Sequence, residues 1–139
     1  MQISKHLTLE ECITSQTAIR LKIDNTPSEI VIENLKIVAK NIFEPLREYF
    51  KKPIKVSSGY RSLKLNAKIK GSKKSQHTEG KALDLQGMEG LTNVQIFNYI
   101  KNNLVYDQLI WEYGDKSNPA WVHVSFNKNK NRQQTLYIS

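Results

Sequence analysis

Apolar residues recur at helical spacing in the first half of the chain. Six of them, three or four residues apart, follow a capping box formed by Thr26 and Glu29, with Pro27 at the first helical position. They predict one long core helix. Its apolar positions are Val31, Leu35, Val38, Ile42, Leu46 and Tyr49. Pro45 lies inside this run and is expected to kink the helix. A shorter helix should begin at Thr8, where a second capping box is present.

The second half of the chain alternates between short strand-like runs and polar turns. Residues 62–69 and a segment capped by Thr92 and Gln95 predict two helices, and residues 71–79 read as a polar loop. The remaining apolar or alternating runs predict strands. These lie at residues 54–57, 82–85, 109–113, 121–126 and 135–138. Because helices come first and strands later, we expect an α+β fold: a small, mostly antiparallel sheet packed against helices in one domain of residues 1–139.

Composition and charge narrow the possible partners. The 139 residues are 39% hydrophobic and 24% charged, which is typical of a folded globular protein and excludes a disordered one. The net charge of +8 favours an anionic partner, such as a wall polymer, a lipid surface or a nucleic acid. Basic stretches interleaved with aromatic residues are absent, so nucleic acid is not the expected partner.

The chain also lacks features of an exported, disulfide-bonded or membrane-spanning protein. Cys12 is the single cysteine, so an internal disulfide is impossible, and its apolar surroundings predict a buried thiol. The first residues lack the apolar core of a secretory signal, and no run of about 18 apolar residues exists. We therefore expect synthesis in the cytoplasm and no membrane insertion.

Two of the three histidines stand in segments that suit a metal centre. His77 lies in a polar loop, Asp84 follows seven residues later on a predicted strand, and His123 lies on another strand. Alternation along the second strand puts Trp121, His123 and Ser125 on one face. Two histidines and one carboxylate leave an open position on a tetrahedral zinc ion, which is the catalytic pattern. A core or surface role for each histidine is the alternative.

The segment containing these residues resembles a known family. Its pattern is Ser75-x-His77-x-x-Gly80-x-Ala82-x-Asp84. This sequence is similar to the M15 peptidases, which comprise zinc D,D-carboxypeptidases, D,D-dipeptidases and phage L-alanyl-D-glutamate endolysins. The resemblance extends over nearly the whole chain and is to the small phage and bacterial subgroup of the family. It includes the Ser-Gly-Tyr-Arg run at residues 58–61, the His-x-Ser run at 123–125, and residues 15–20 and 24–27.

The resemblance implies a fold, a cofactor and roles for individual residues. The fold would be hedgehog or D,D-peptidase-like. One zinc ion per chain would be held by His77, Asp84 and His123. Arg61 would face the substrate, binding a carboxylate or polarising the scissile carbonyl, as a planar guanidinium can. Ser75 would contact the substrate or cap the loop of His77. On the predicted strand face, Trp121 would form a wall of the site.

The general base is harder to assign. Many M15 relatives carry a glutamate three residues before the distal histidine, where this chain has Ala120. Glu112, on the preceding strand, is our candidate. It would share a face with His123 if the two strands form a hairpin with an even offset. Glu79 and Asp115 are the alternatives.

The resemblance implies a zinc peptidase that cuts peptidoglycan stem or cross-link peptides. We expect it to act as a monomer on the bacterial wall after release, as a phage endolysin does. The alternative is a zinc-containing module that binds the wall, or serves as a phage structural part, without catalysis. The motifs do not distinguish carboxypeptidase, dipeptidase and endopeptidase specificity, because the walls of the pocket decide it.

Overall fold

The computed structural model describes residues 1–139, and it begins with a small hairpin and two short helices. Strands β1 (Gln2–Ser4) and β2 (Leu7–Thr8) pair antiparallel. Helix α1 (Leu9–Ile13) follows with the predicted capping box at Thr8, which is confirmed. Helix α2 (Gln16–Leu21) and the hairpin were not predicted. Cys12 is buried in α1, and burial raises the pKa of its thiol to about 12.

The long core helix is present, but its start differs from the prediction. Helix α3 (Glu29–Val38) is capped by Ser28, whose Oγ accepts from the Val31 backbone N–H. The predicted capping box of Thr26 and Glu29 is wrong. Asp24 Oδ1 instead accepts from the Thr26 backbone N–H at 2.9 Å, which makes a turn before the helix. Pro27 therefore lies ahead of the capping residue and not at the first helical position.

The helix changes its winding immediately before Pro45. A π turn (Ala39–Phe43) separates α3 from α4 (Glu44–Phe50), and Glu44 N–H donates to the Ala39 carbonyl five residues back. Proline has no N–H for an ordinary helical bond, so a local irregularity is expected at this point. The wider turn changes the helical register. The prediction of Tyr49 as a core position is wrong: the residue is 61% exposed, and its ring packs against Phe50 and Tyr99.

A five-stranded sheet carries the second half of the fold. Its order is β3-β4-β6-β5-β7, with antiparallel pairs except for β7, which runs parallel to β5. The strands are β3 (Ile54–Ser58), β4 (Ala82–Gly87), β5 (Gln108–Glu112), β6 (Trp121–Ser125) and β7 (Gln134–Ile138). Helices α5 (Leu63–Lys68) and α6 (Asn93–Asn103) connect them. The predicted α+β class and mostly antiparallel sheet are confirmed.

The core lies between one face of this sheet and the helices. Strand residues such as Leu83, Leu85, Val122 and Val124 are fully buried there against α3, the π turn, α4 and α6. Residues of opposite parity, including Asp84 and His123, consequently occupy the other face. None of the helices combines the length and the apolar content that a membrane span requires.

Candidate metal centre

His77 is held in a short 3₁₀ helix (Gln76–Glu79) that interrupts the predicted polar loop. Ser75 caps this helix, its Oγ accepting from the His77 backbone N–H at 3.2 Å. Gly80 ends it with φ +75°, and a Cβ at that position would approach Val31 to 2.8 Å. Only glycine satisfies both the backbone conformation and the close contact.

The imidazole of His77 is oriented by a backbone group. Its Nδ1 lies 2.7 Å from the carbonyl oxygen of Gly59, and the side chain is buried. A carbonyl only accepts, so Nδ1 carries the proton and donates, which leaves the Nε2 lone pair free. This is the usual way in which a protein fixes the tautomer of a metal-binding histidine.

Asp84 and His123 face each other across neighbouring strands. They are direct partners in the β4–β6 register, so their side chains emerge on the same face. Asp84 Oδ1 lies 3.1 Å from His123 Nδ1 and 3.2 Å from His77 Nε2. The candidate ligand atoms of the three residues all lie within 4.8 Å of one another.

The spacing and chemistry of this group fit zinc. Bonds of about 2.0–2.1 Å in a tetrahedron place ligand atoms roughly 3.3 Å apart, close to the two distances measured from Asp84. Two imidazole nitrogens and one carboxylate suit zinc, whereas magnesium and calcium prefer oxygen ligands. Three protein ligands leave the fourth position of a tetrahedral ion open.

Asp84 is stabilised as a carboxylate by its surroundings. Its second oxygen, Oδ2, accepts from Arg61 Nη2 at 3.3 Å, and Arg61 Nε donates to Ser58 Oγ at 3.1 Å. Burial acts to raise the pKa of Asp84. The neighbouring imidazoles of His77 and His123 outweigh this effect and hold the pKa of Asp84 well below its usual range. An ionised carboxylate is the form that binds a metal.

Glu112 lies on the same face as His123. In the β5–β6 register Glu112 pairs with Trp121 and Ile110 pairs with His123, which is an even offset of two positions. Trp121 Nε1 donates to Glu112 Oε2 at 2.8 Å, whereas Oε1 has no hydrogen-bond partner in the protein. All four side chains line the same cleft.

The alternative carboxylates point elsewhere. Glu79 is exposed and lies 3.8 Å from Lys81 Nζ, and Asp115 Oδ1 accepts from backbone groups of its own loop. Neither residue lines the cleft, and the Ala120 side chain has no group that could accept a proton.

The cleft has a volume of about 910 Å³, and nearly all the residues that line it are of polar or charged types. Ile110 and Trp121 are its apolar residues, and Arg61 and Ser75 also line it. The structure thus brings every residue proposed from the sequence, whether for metal or for substrate, to one cavity.

A buried carboxylate in the cleft was not anticipated from the sequence. Asp107 accepts from Gln76 Nε2 at 2.8 Å and from Arg132, whose Nε and Nη2 lie at 3.1 and 2.8 Å. The hydrogen bonds that the Arg132 side chain donates are the largest of the effects that lower the pKa of Asp107 to about 2. Its partners are 31 and 25 residues away, so no local pattern could have revealed the cluster.

Two histidines and one aspartate that could hold one metal ion, and that would leave one tetrahedral position open, are typical of a catalytic metal centre. A family model described as Peptidase M15 matches residues 5–125, and the chain belongs to this peptidase family, whose members depend on zinc. None of the curated proteins compared with the chain matches it.

Proposed function

We propose that the protein is a zinc-dependent peptidase that cleaves peptide bonds in bacterial peptidoglycan. The observation that carries the proposal is the triangle of His77, Asp84 and His123 on the floor of a polar cleft, in a chain of the M15 family. One ion per chain would be bound by His77 Nε2, His123 Nδ1 and the carboxylate of Asp84.

Zinc, when bound, supplies a Lewis acid that polarises a carbonyl and lowers the pKa of water. The protein must then move protons, and Glu112 suits this role because its Oε1 has no protein partner. In this proposal Glu112 takes a proton from the attacking water and delivers it to the leaving amine. The Trp121 indole N–H fixes the orientation of the carboxylate through Oε2.

Arg61 is suited to stabilise the negative charge that develops on the scissile carbonyl. Nη2 is engaged by Asp84 and Nε by Ser58, so the guanidinium is held in place while Nη1 has no protein partner. A pre-oriented cationic donor of this kind stabilises an oxyanion without reorganising. Trp121 and Ser75 line the cleft beside it and are proposed to contact the substrate.

The charge of the protein supports a peptidoglycan substrate. A net charge of +8 favours approach to the anionic cell wall, and the polar cleft suits a peptide with several amides and carboxylates. We propose that the protein acts there as a monomer, that it does not bind nucleic acid, and that it reaches the wall after release from the cytoplasm.

A second candidate function follows from Ala120. This residue stands where many M15 relatives carry the catalytic glutamate, so the chain could be a zinc-containing module that binds the wall without cutting it. Glu112 on the cleft face favours catalysis instead.

Digestion of purified peptidoglycan tests the proposal. We expect the zinc-loaded protein to release new amino groups and a chelator to abolish the release. Mass spectrometry of the muropeptides would identify the bond that is cut. Binding to peptidoglycan with no release of amino groups, with or without zinc, would contradict the peptidase and favour the binding module.

A further inference from the structure

The cleft has two chemically different ends. The β5–β6 pair forms part of its floor, with Glu112 and Trp121 at one end and Ile110 and His123 in the middle. Gln108 lies toward the other end, where its backbone N–H donates to Ser125 Oγ. Two residues of strand span roughly 6–7 Å, so this other end lies about that far from His123.

Three of the four basic residues that line the cleft belong to segments that are joined to Asp107, next to Gln108 and away from Glu112. These residues are Lys74, Lys130 and Arg132. Arg132 donates to Asp107 directly, and Gln76, two residues after Lys74, donates to it as well. Asp107 offsets the charge of Arg132, whereas Lys74 and Lys130 form no ion pair. This end therefore carries two uncompensated positive charges.

The segments that carry these lysines are held in defined conformations. Asn127 and Asn131 exchange two hydrogen bonds, at 2.7 and 2.9 Å, across the turn that contains Lys130. On the other segment, Ser72 Oγ accepts from the Lys74 backbone N–H at 3.2 Å, and Asn66 Nδ2 donates to the Ser72 carbonyl at 2.8 Å. These backbone hydrogen bonds hold the Cα atoms of Lys74 and Lys130 beside the cleft, within reach of a ligand for their flexible side chains.

We propose that Lys74 and Lys130 form a subsite for a carboxylate of the substrate peptide, two or three residues from the scissile bond. The inference rests on the proposed function and adds a specificity determinant to it. An extended peptide advances about 3.3–3.6 Å per residue, so the separation between His123 and the basic end sets that spacing. Charge-assisted hydrogen bonds from the two ammonium groups would select a free carboxylate over an amide.

A peptide carboxylate explains the placement of these lysines better than a wall polymer does. Lys73 and Lys128 belong to the same two segments and are also exposed, but they do not line the cleft. A polyanion held on the outer surface would engage all four lysines alike. A carboxylate within the cleft would engage Lys74 and Lys130 alone.

The test compares two double variants on two substrates. Lys74→Ala/Lys130→Ala removes the subsite, and Lys73→Ala/Lys128→Ala removes the same charge from the same segments as a matched control. The substrates are one muropeptide preparation with its carboxylates free or converted to amides. With free carboxylates we expect the subsite variant to raise KM roughly tenfold, with kcat nearly unchanged, and the control to match the parent.

The amidated substrate tests whether Lys74 and Lys130 interact directly with a carboxylate of the substrate. Amidation should raise KM for the parent, and the subsite variant should raise it no further, since the interaction is already lost. Dissociation constants for the digestion products, measured by calorimetry on zinc-loaded protein, should follow the same pattern without turnover. Additive effects of variant and amidation, or equal losses in the control, would overturn the subsite.

The two proposals fail in different ways. If the parent protein cuts neither preparation, the peptidase itself is wrong. If the parent cuts the free-carboxylate muropeptides and the subsite variant has the same KM and the same dissociation constant, only the subsite is wrong. Equally weakened binding of both double variants to whole wall, with KM unchanged in both, would assign all four lysines to a wall polymer and overturn the subsite.

Discussion

Glu112 is the one carboxylate of the cleft that neither belongs to the candidate metal-ligand group nor forms an ion pair. Asp84 belongs to the candidate ligand group and Asp107 is bound by Arg132, but Glu112 accepts one hydrogen bond and retains a free oxygen. The Glu112→Gln variant keeps the shape and still accepts from Trp121, but it cannot take a proton. We expect normal zinc content and kcat reduced roughly 10²–10⁴-fold.

The matched control for this variant is Glu79→Gln. Glu79 is exposed and outside the cleft, so its loss should leave kcat unchanged. Peptidase assays and zinc analysis on both variants provide the measurement. Full activity in Glu112→Gln would move the proton transfer to another group.

Arg61 links the candidate ligand Asp84 to the substrate side of the cleft. Removing a donor aimed at a developing oxyanion typically costs roughly 10²–10³-fold in kcat, so kcat/KM should fall by that amount in Arg61→Ala. Zinc should remain bound at saturating concentration, but with affinity lowered by about tenfold or more, because Asp84 Oδ2 loses its partner.

Steady-state kinetics and a competitive zinc titration separate the two effects of Arg61. Arg20→Ala, in exposed α2, serves as the control and should change neither quantity. An Arg61→Ala variant that cuts as fast as the parent would remove Arg61 from the catalytic residues.

At the residue scale, the motif positions were predictable and their supporting contacts were not. In the ten-residue run from Ser75 to Asp84, some fixed residues shape the backbone locally: Ser75 caps the 3₁₀ helix of His77, and Gly80 ends it. Such local roles can be inferred from the sequence. Gly59, whose carbonyl orients His77, and Asp107 act only through the tertiary fold. No spacing in the sequence identifies such partners.

Elements with a strong local signal were predicted well. The capping boxes at Thr8 and Thr92 are both present, because each depends on residues three positions apart. At the start of α3, Thr26 and Ser28 competed for the same role, and the Asp24 turn decided the outcome. Helix α2 was not predicted because it has six residues and only one of them, Ala18, is buried. So short a segment shows no apolar periodicity in the sequence.

A contact between elements gives the next prediction. Asp107, immediately before β5, joins the 3₁₀ helix through Gln76 and the segment before β7 through Arg132. The Asp107→Asn variant loses the charge that holds these segments together. At pH 7 we expect its free energy of unfolding to be lower by roughly 1.5–3 kcal/mol, the range for hydrogen bonds to charged groups.

The pH dependence of that difference follows from the depressed pKa of Asp107. Its pKa falls from an ordinary 3.8 to about 2 on folding, so its stabilisation is fully present above about pH 4 and is lost as the pH falls toward 2. Denaturant unfolding of parent and variant at pH 7 and at decreasing acidic pH measures this. A difference that is constant or grows on acidification would contradict the assignment.

At the scale of the whole molecule, the fold positions the site by strand register. Pairing of Asp84 with His123, and of Glu112 with Trp121, puts all four side chains on the face opposite the core. Alternation along each strand predicted the faces. The pairing partners, the strand order and the parallel position of β7 required the tertiary structure, because they join segments distant in sequence.

Only a few of the basic residues that give the protein its net charge of +8 line the cleft. Arg61 contacts Asp84, and Arg132 is paired with Asp107, whereas Lys74 and Lys130 remain uncompensated at the cleft. Most other basic residues are exposed and are expected to act through the long-range field that attracts an anionic wall.

The zinc content of the purified protein is the most direct test of whether one zinc ion binds at His77, Asp84 and His123. His6, the third histidine, contacts Glu44 outside the site and provides the matched control. After zinc loading and removal of excess metal, we expect one zinc per chain in the parent and in His6→Ala, and almost none in His123→Ala. A parent that retains no zinc, or a His123→Ala variant that retains a full equivalent, would contradict the account.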